Sequence, residues 1–269
     1  MMKIILVALL VLLVGHGVTA QDKNLYEKHT FVFRGDTLLY RLLLPENYNP
    51  GKIYPMVLFL HGSGERGNDN EAQLMHGADL FLRDSIRKNF PAIIVFPQCP
   101  AQDSWANTSI KKDSLGKRIF QFKITGKETK SMWLVERLVR NIINLYPVTR
   151  KQLYVGGLSM GGMGTFEIVR RNPKLFVAAF PICGGADSSI AKKIKNVNWW
   201  IFHGAKDQTV DPMYSQIMVR ALLEAKASVM FTLYPEAGHN SWDNTFAEPR
   251  LLSWLFSNKK NSIHLFFLN

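Results

Sequence analysis

Cysteine is nearly absent from this chain, with only Cys99 and Cys183 among 269 residues. That scarcity excludes a small fold stapled by several disulfides. Both cysteines follow apolar runs that read as buried strands, so two buried free thiols are expected. A single disulfide between them is the alternative in an oxidising compartment. Neither lies on the sharp turn that a cysteine nucleophile needs. No HExxH segment occurs and no histidine pair has ligand spacing, so no metal or other cofactor is expected. Acidic residues are also few: 21 Asp and Glu stand against 33 Lys and Arg, a formal net charge of +12. The bases are dispersed apart from a denser stretch at 111–130, and no aromatic-interleaved basic stripe accompanies them. The charge reads as a solubilising surface, and no nucleic-acid partner is expected.

Long apolar runs are absent as well, with one exception. Residues 4–14 are unbroken apolar chain, preceded by Lys3 and followed by Val18-Thr19-Ala20 before Gln21. A basic start, a short apolar run and small residues at the −3 and −1 positions have the layout of a secretory signal peptide over residues 1–20. The run falls short of the roughly 20 residues that span a bilayer. An uncleaved amphipathic anchor is the alternative, and no cysteine is placed for a lipid anchor. The expectation is an exported protein, periplasmic or secreted, with no membrane span once the leader is cut.

Beyond the leader the chain alternates. Residues 30–34 and 38–44 read as two strands joined at Gly35-Asp36, a hairpin signal. Short apolar runs follow at 55–60, 92–96, 153–156, 177–182, 199–202 and 229–234. Unbroken runs of that length suit parallel strands covered on both faces. Helical periods lie between them at 130–145, 162–171, 212–225 and 244–256. In the first, Trp133, Val135, Leu138, Ile142 and Leu145 share a face. The alternation predicts one α/β domain over 21–269. Its central sheet is mostly parallel, with an antiparallel hairpin at the N-terminal side and helices on both faces. The polar, basic insertion at 101–128 is expected as a loop or small hairpin over the C-terminal edge of the sheet. The stretch joining the strands at 177–182 and 199–202 is too short for a large helical cap, which leaves an open cleft. The apolar tail at 262–269 has no physical account.

The most informative segment is Gly157-Leu158-Ser159-Met160-Gly161, where a strand enters and a helix leaves. A serine at such a reversal is held in strained backbone with its hydroxyl exposed, and the flanking glycines avoid collisions with neighbouring strand and helix. A free hydroxyl is a poor nucleophile, so a base must take its proton. Two later strand ends supply the partners, at the sheet edge where ligands bind. Asp207 follows the run through Phe202-His203-Gly204, and His239 follows the last strand in Ala237-Gly238-His239. Asp211 is the rival acid, and His203 reads as structural. An oxyanion hole is expected from the backbone N–H of Met160 and that of Ser63, with Gly64 as the alternative to Ser63. His61 reads as a prop for that loop. The spacing Gly62-x-Gly64-x-x-Gly67 formally matches a dinucleotide fingerprint. The next strand, however, ends in Pro97-Gln98 with no acid for a ribose.

These segments together carry a resemblance. His61-Gly62-Ser63-Gly64-Glu65-Arg66-Gly67, Phe96-Pro97-Gln98-Cys99-Pro100, Gly157-Leu158-Ser159-Met160-Gly161-Gly162, His203-Gly204-x-x-Asp207 and Gly238-His239-x-x-Trp242 are the residues concerned. The set resembles the bacterial carboxylesterase and feruloyl-esterase-like group of α/β hydrolases, over roughly residues 30–257. That group is related to polyhydroxybutyrate depolymerases, family-one carbohydrate esterases and the prolyl-oligopeptidase catalytic domain. The resemblance implies the α/β-hydrolase fold, the triad Ser159, His239 and Asp207, and an ester substrate, while motif sharing exceeds substrate sharing. An open cleft suits a feruloyl, acetyl or other short acyl ester on plant polysaccharide or on a small molecule. Gln98, Trp105 and Trp242 are candidate substrate contacts, each weighed against plain packing. The rival readings are a prolyl-oligopeptidase-like peptidase, a dienelactone or thioester hydrolase, and a catalytically silent binding protein.

Overall fold

The computed structural model describes residues 22–260; the expected leader at 1–20 and the apolar tail at 262–269 lie outside them. Strands β1 (Glu27–Phe33) and β2 (Asp36–Leu43) form an antiparallel hairpin. Its two turn residues, Arg34 and Gly35, both have positive φ (52° and 83°), the backbone that matches the twist of paired strands. Strand β3 (Tyr54–Leu60) leads through a loop and two short helices, α1 (Ala78–Leu82) and α2 (Asp84–Asn89), to β4 (Ile93–Pro97). A separate two-stranded hairpin follows, β5 (Thr108–Lys112) and β6 (Arg118–Phe122). Helix α3 (Lys130–Leu145), β7 (Val148–Leu158), α4 (Met160–Arg171) and β8 (Ala178–Ile182) come next. Then run α5 (Ala191–Ile194), β9 (Asn198–Gly204), α6 (Met213–Glu224), β10 (Val229–Tyr234), α7 (Trp242–Phe246) and α8 (Leu251–Ser257).

Eight strands make one sheet in the order β1-β2-β4-β3-β7-β8-β9-β10. The pairs from β4 to β10 are all parallel; only β1–β2 and β2–β4 are antiparallel. Side chains alternate between two cores. Met56, Leu58 and Leu60 of β3 join Val135, Leu138, Ile142 and Phe166 on the side of α3 and α4. Val57 and Phe59 turn the other way, toward Phe81 of α1 and Leu251 and Leu255 of α8. This two-sided burial is why β3, β4 and β9 read as unbroken apolar runs. Cys99 and Cys183 are both buried free thiols with no disulfide between them.

Several elements differ from the sequence expectation. The helix expected over 244–256 is two helices, α7 and α8, because Pro249 has no N–H and cannot continue the first one. Strand β7 begins at Val148 rather than 153, since its polar first half (Thr149, Arg150, Lys151) hides the strand. Leu145, placed on one face of α3 with Leu138 and Ile142, is 67% exposed at the helix end while those two are buried. The short α1 and α2 have too few turns to show a helical period. Between β8 and β9 the only helical segments are a 3-10 turn at Ser188–Ile190 and α5, so no large cap covers the sheet there.

Candidate active site

Strand β7 ends at Leu158 and α4 starts at Met160, leaving Ser159 on the reversal with φ 54° and ψ −115°. The turn fits only because its glycines lack side chains. A Cβ on Gly161 would lie 1.9 Å from the Leu60 carbonyl oxygen, and one on Gly157 would lie 2.4 Å from the Gly161 oxygen. Met160 opens the helix, so its N–H is among those with no intrahelical acceptor and points toward the serine side.

The structure brings the three expected side chains together. The Ser159 hydroxyl donates to His239 Nε2 at 2.9 Å, and His239 Nδ1–H donates to Asp207 Oδ2 at 2.7 Å. The side chain of Asp207 is wholly buried and that of His239 is 22% exposed. Asp207 has further donors: the N–H groups of Thr209 and Val210 reach Oδ1 at 2.8 and 3.0 Å. His203 Nε2 stands 3.1 Å from Oδ2 and 2.9 Å from the Val210 carbonyl. Both neighbours of that nitrogen are acceptors, so it carries the proton, and Nδ1 faces the Ser215 hydroxyl at 2.7 Å. Burial works to raise the Asp207 pKa, but the hydrogen bonds from His203, His239 and Val210 outweigh it and hold the carboxyl well below the usual range. His203 is structural, as expected, but its structural task is to carry the acid. The signal was its placement four residues before Asp207, across a turn that brings the ring back beneath the carboxylate.

Asp211, the rival acid, is engaged elsewhere: it pairs with Lys117 and accepts from the Met213 N–H at 2.8 Å. The loop after β3 is fixed from below. The Cys99 N–H donates to His61 Nε2 at 2.9 Å, the Trp105 indole donates to the His61 carbonyl at 3.0 Å, and His61 Nδ1–H donates to the Gly62 carbonyl at 2.6 Å. Burial pushes the His61 imidazole down to about 4, so it stays neutral. Its reading as a prop agrees with these bonds. The Gly62-x-Gly64-x-x-Gly67 stretch runs into a 3-10 turn at Ser63–Glu65, not the helix a dinucleotide site requires.

Two of the candidate substrate contacts need correction. Gln98 is 1% exposed; its amide donates to Asp69 Oδ1 at 2.7 Å and its carbonyl accepts from the Asn70 N–H at 2.7 Å. Trp105 is fully buried beneath the same loop. A position just past a strand end suggested the cleft for Gln98, and an aromatic surface for a sugar or phenolic ring suggested it for Trp105, but backbone and carboxylate groups under the loop claim both side chains. Trp242, partly exposed, packs edge-on against the His239 ring at 5.4 Å between centroids.

Above the triad lies a cleft of about 370 Å³, lined by Ser63, Met160 and Ser159 on the sheet side and by Thr108, Ile110, Arg118 and Phe120 from the β5–β6 hairpin. The insertion is therefore a wall of the site. It is moored by the Phe120 N–H, which donates to the Tyr214 hydroxyl at 2.8 Å, and by the Lys117–Asp211 pair. Ser63 and Met160 thus stand on the same cleft as Ser159, where the two backbone donors were expected. Among the described residues one set could ligate a metal: Cys183, Asp207 and His239 offer ligand atoms within 4.8 Å of one another. Two of the three are already hydrogen-bonded to each other.

A family model described as "Putative esterase" matches residues 35–231. Among solved structures, a thermostable esterase is 32% identical with a TM-score of 0.78, covering 87% of this chain and 63% of that one. The chain thus spans less than two thirds of that esterase. A feruloyl esterase module from Clostridium thermocellum, complexed with sinapinate, is 16% identical with a TM-score of 0.65, covering 90% and 92%. An acylaminoacyl peptidase from Pyrococcus horikoshii is 14% identical with a TM-score of 0.60, covering 88% and 42%. The last two likenesses concern the fold alone. No curated protein matches the chain.

Proposed function

The chain belongs to the Esterase family, with the α/β-hydrolase fold, and from that premise we propose that it is an exported serine carboxylic-ester hydrolase working through an acyl-enzyme. One observation carries the reading. An unbroken hydrogen-bonded line runs from Ser159 Oγ through both nitrogens of His239 to the buried carboxylate of Asp207, and the serine end opens on a cleft.

Ser159 Oγ attacks the ester carbonyl carbon as His239 Nε2 takes its proton. The carbonyl electron pair moves onto oxygen, where the Met160 and Ser63 N–H groups hold the charge. Asp207 keeps the imidazole in register and balances its positive charge. The C–O bond to the alcohol then breaks, and the alcohol leaves with the proton from Nε2. Water repeats the sequence on the acyl-enzyme: His239 takes its proton, the acid departs, and the proton returns to Ser159.

The substrate is an ester with a short or aromatic acyl group, feruloyl or acetyl among them, on a polysaccharide or a small molecule. The apolar side chains Ile110, Phe120, Met160 and Met163 around the cleft support that breadth. Export is supported by Lys3, the apolar run at 4–14 and the small residues before Gln21.

The test is turnover of 4-nitrophenyl acetate together with labelling by a fluorophosphonate. Wild type should do both, while Ser159→Ala should fall to background and take no label. Equal activity in that variant removes the nucleophile and the reading with it. Methyl ferulate and acetylated xylan, run beside it, sort the acyl group.

A further inference from the structure

The cleft has an uncompensated charge. Arg66 and Arg118 both line it, and none of the residues lining it is acidic. Among the described residues neither guanidinium is ion-paired with a carboxylate; the nearby Asp211 is held by Lys117. Arg66 is positioned by carbonyls instead, donating from Nε to Ser63 at 3.0 Å and from Nη1 to Asp103 at 3.3 Å. Arg118 stands directly opposite Lys112 in the β5–β6 ladder, a like-charge pair that costs stability unless an anion comes between or beside them. The Thr108 hydroxyl, also on the cleft wall, is buried and has no hydrogen-bond partner.

From this arrangement we infer that the ester taken by Ser159 carries a carboxylate elsewhere in the molecule, received by Arg66 and Arg118. The inference rests on the serine-esterase reading above and narrows it to anionic esters. A guanidinium presents a planar fork of donors that matches a carboxylate, and its charge does not titrate. A concave site lined by one sign of charge concentrates counter-ions at its mouth. The apolar side chains Ile110, Phe120 and Met163, which line the same cleft as the arginines and the serine, suit the carbon body joining the two ends of such a substrate.

Two matched substrate pairs test this, one for each side of the ester bond. Monomethyl glutarate is compared with dimethyl glutarate, placing the charge on the acyl side. 4-Acetoxybenzoate is compared with its methyl ester, placing it on the alcohol side. For at least one pair, wild type should favour the anion in kcat/KM on the order of tenfold, shrinking at about 0.5 M salt. Arg118→Gln should lower that ratio severalfold, while Lys192→Gln, the same charge change at an exposed position of α5, should leave it unchanged. Serine-dependent hydrolysis with no anion preference in either pair, or with equal loss in the two variants, overturns the inference and leaves the esterase reading standing. If no ester is cleaved faster by wild type than by Ser159→Ala, both fall together.

Discussion

His203 and Asp207 meet beneath the site: Nε2 of the buried imidazole lies 3.1 Å from Oδ2, the same oxygen that faces His239. One carboxylate oxygen thus takes a bond from each of two histidines, one exposed to the reaction and one not. Replacing His203 by Phe removes the lower donor and leaves the Ser215 hydroxyl without its ring partner. The loss of such a buried bond costs about 1–3 kcal/mol. If it is felt in the transition state, kcat falls roughly tenfold to a hundredfold. Steady-state kinetics should show the loss in kcat with KM little changed; an effect confined to KM would mean that His203 does not act through Asp207.

The two glycines Gly161 and Gly64 should respond oppositely to alanine. A Cβ on Gly161 meets the Leu60 carbonyl oxygen at 1.9 Å, and strand backbone cannot step aside; one on Gly64 has nothing within 4 Å. Gly161→Ala should cost at least the roughly 1–3 kcal/mol of an overpacked core, with activity lost. Gly64→Ala should stay within about 0.5 kcal/mol of wild type. Urea unfolding of the two variants checks the contrast.

Acid should weaken the fold through His61. Its folded-state pKa is depressed to about 4, against about 6.5 for a free imidazole. Below about 6.5 the unfolded chain takes up a proton that the folded chain refuses, so stability falls as the pH drops toward 4. The loss reaches about 3 kcal/mol across that window. His61→Gln, less stable at neutral pH, should show a shallower decline between pH 7 and 4.5. Parallel slopes in wild type and variant would remove His61 as the cause.

The hairpin wall depends on Tyr214, whose ring contacts Phe120 and Phe122 edge-on at 5.6 and 5.7 Å and whose hydroxyl accepts from the Phe120 N–H. Tyr214→Ala should release it. Trypsin should then cut at Lys111, Lys112, Lys117 or Arg118 sooner than in wild type, and KM for aryl esters should rise severalfold. Unchanged cleavage would show that the Lys117–Asp211 pair suffices.

Much of this was legible in the sequence for a physical reason. Strands covered on both faces, such as β3 and β9, must be apolar throughout, so their ends locate Ser63, Ser159 and Asp207 without coordinates. Other features had no such signature. The half-exposed β5 and β6 alternate weakly and carry charge, so the sequence left loop and small hairpin open and did not show that the segment walls the cleft. Gln98 and Trp105 sit where ligand contacts are common. Nothing in their neighbours reveals that carbonyls and a carboxylate beneath the loop need their donors. Asp207 and Asp211 share a loop, and only the fold decides that one faces His239 and the other Lys117.

Among the described residues strand β10 ends the sheet, hydrogen-bonded on one side alone, and it delivers the chain to His239. The nucleophile is anchored mid-sheet, while the proton acceptor hangs from the margin, where local opening is least costly. Warming would then silence the molecule by fraying one border strand, well before its interior gives way. Turnover and the bulk melting signal would part company, and the gap between them would measure how firmly that border is stitched.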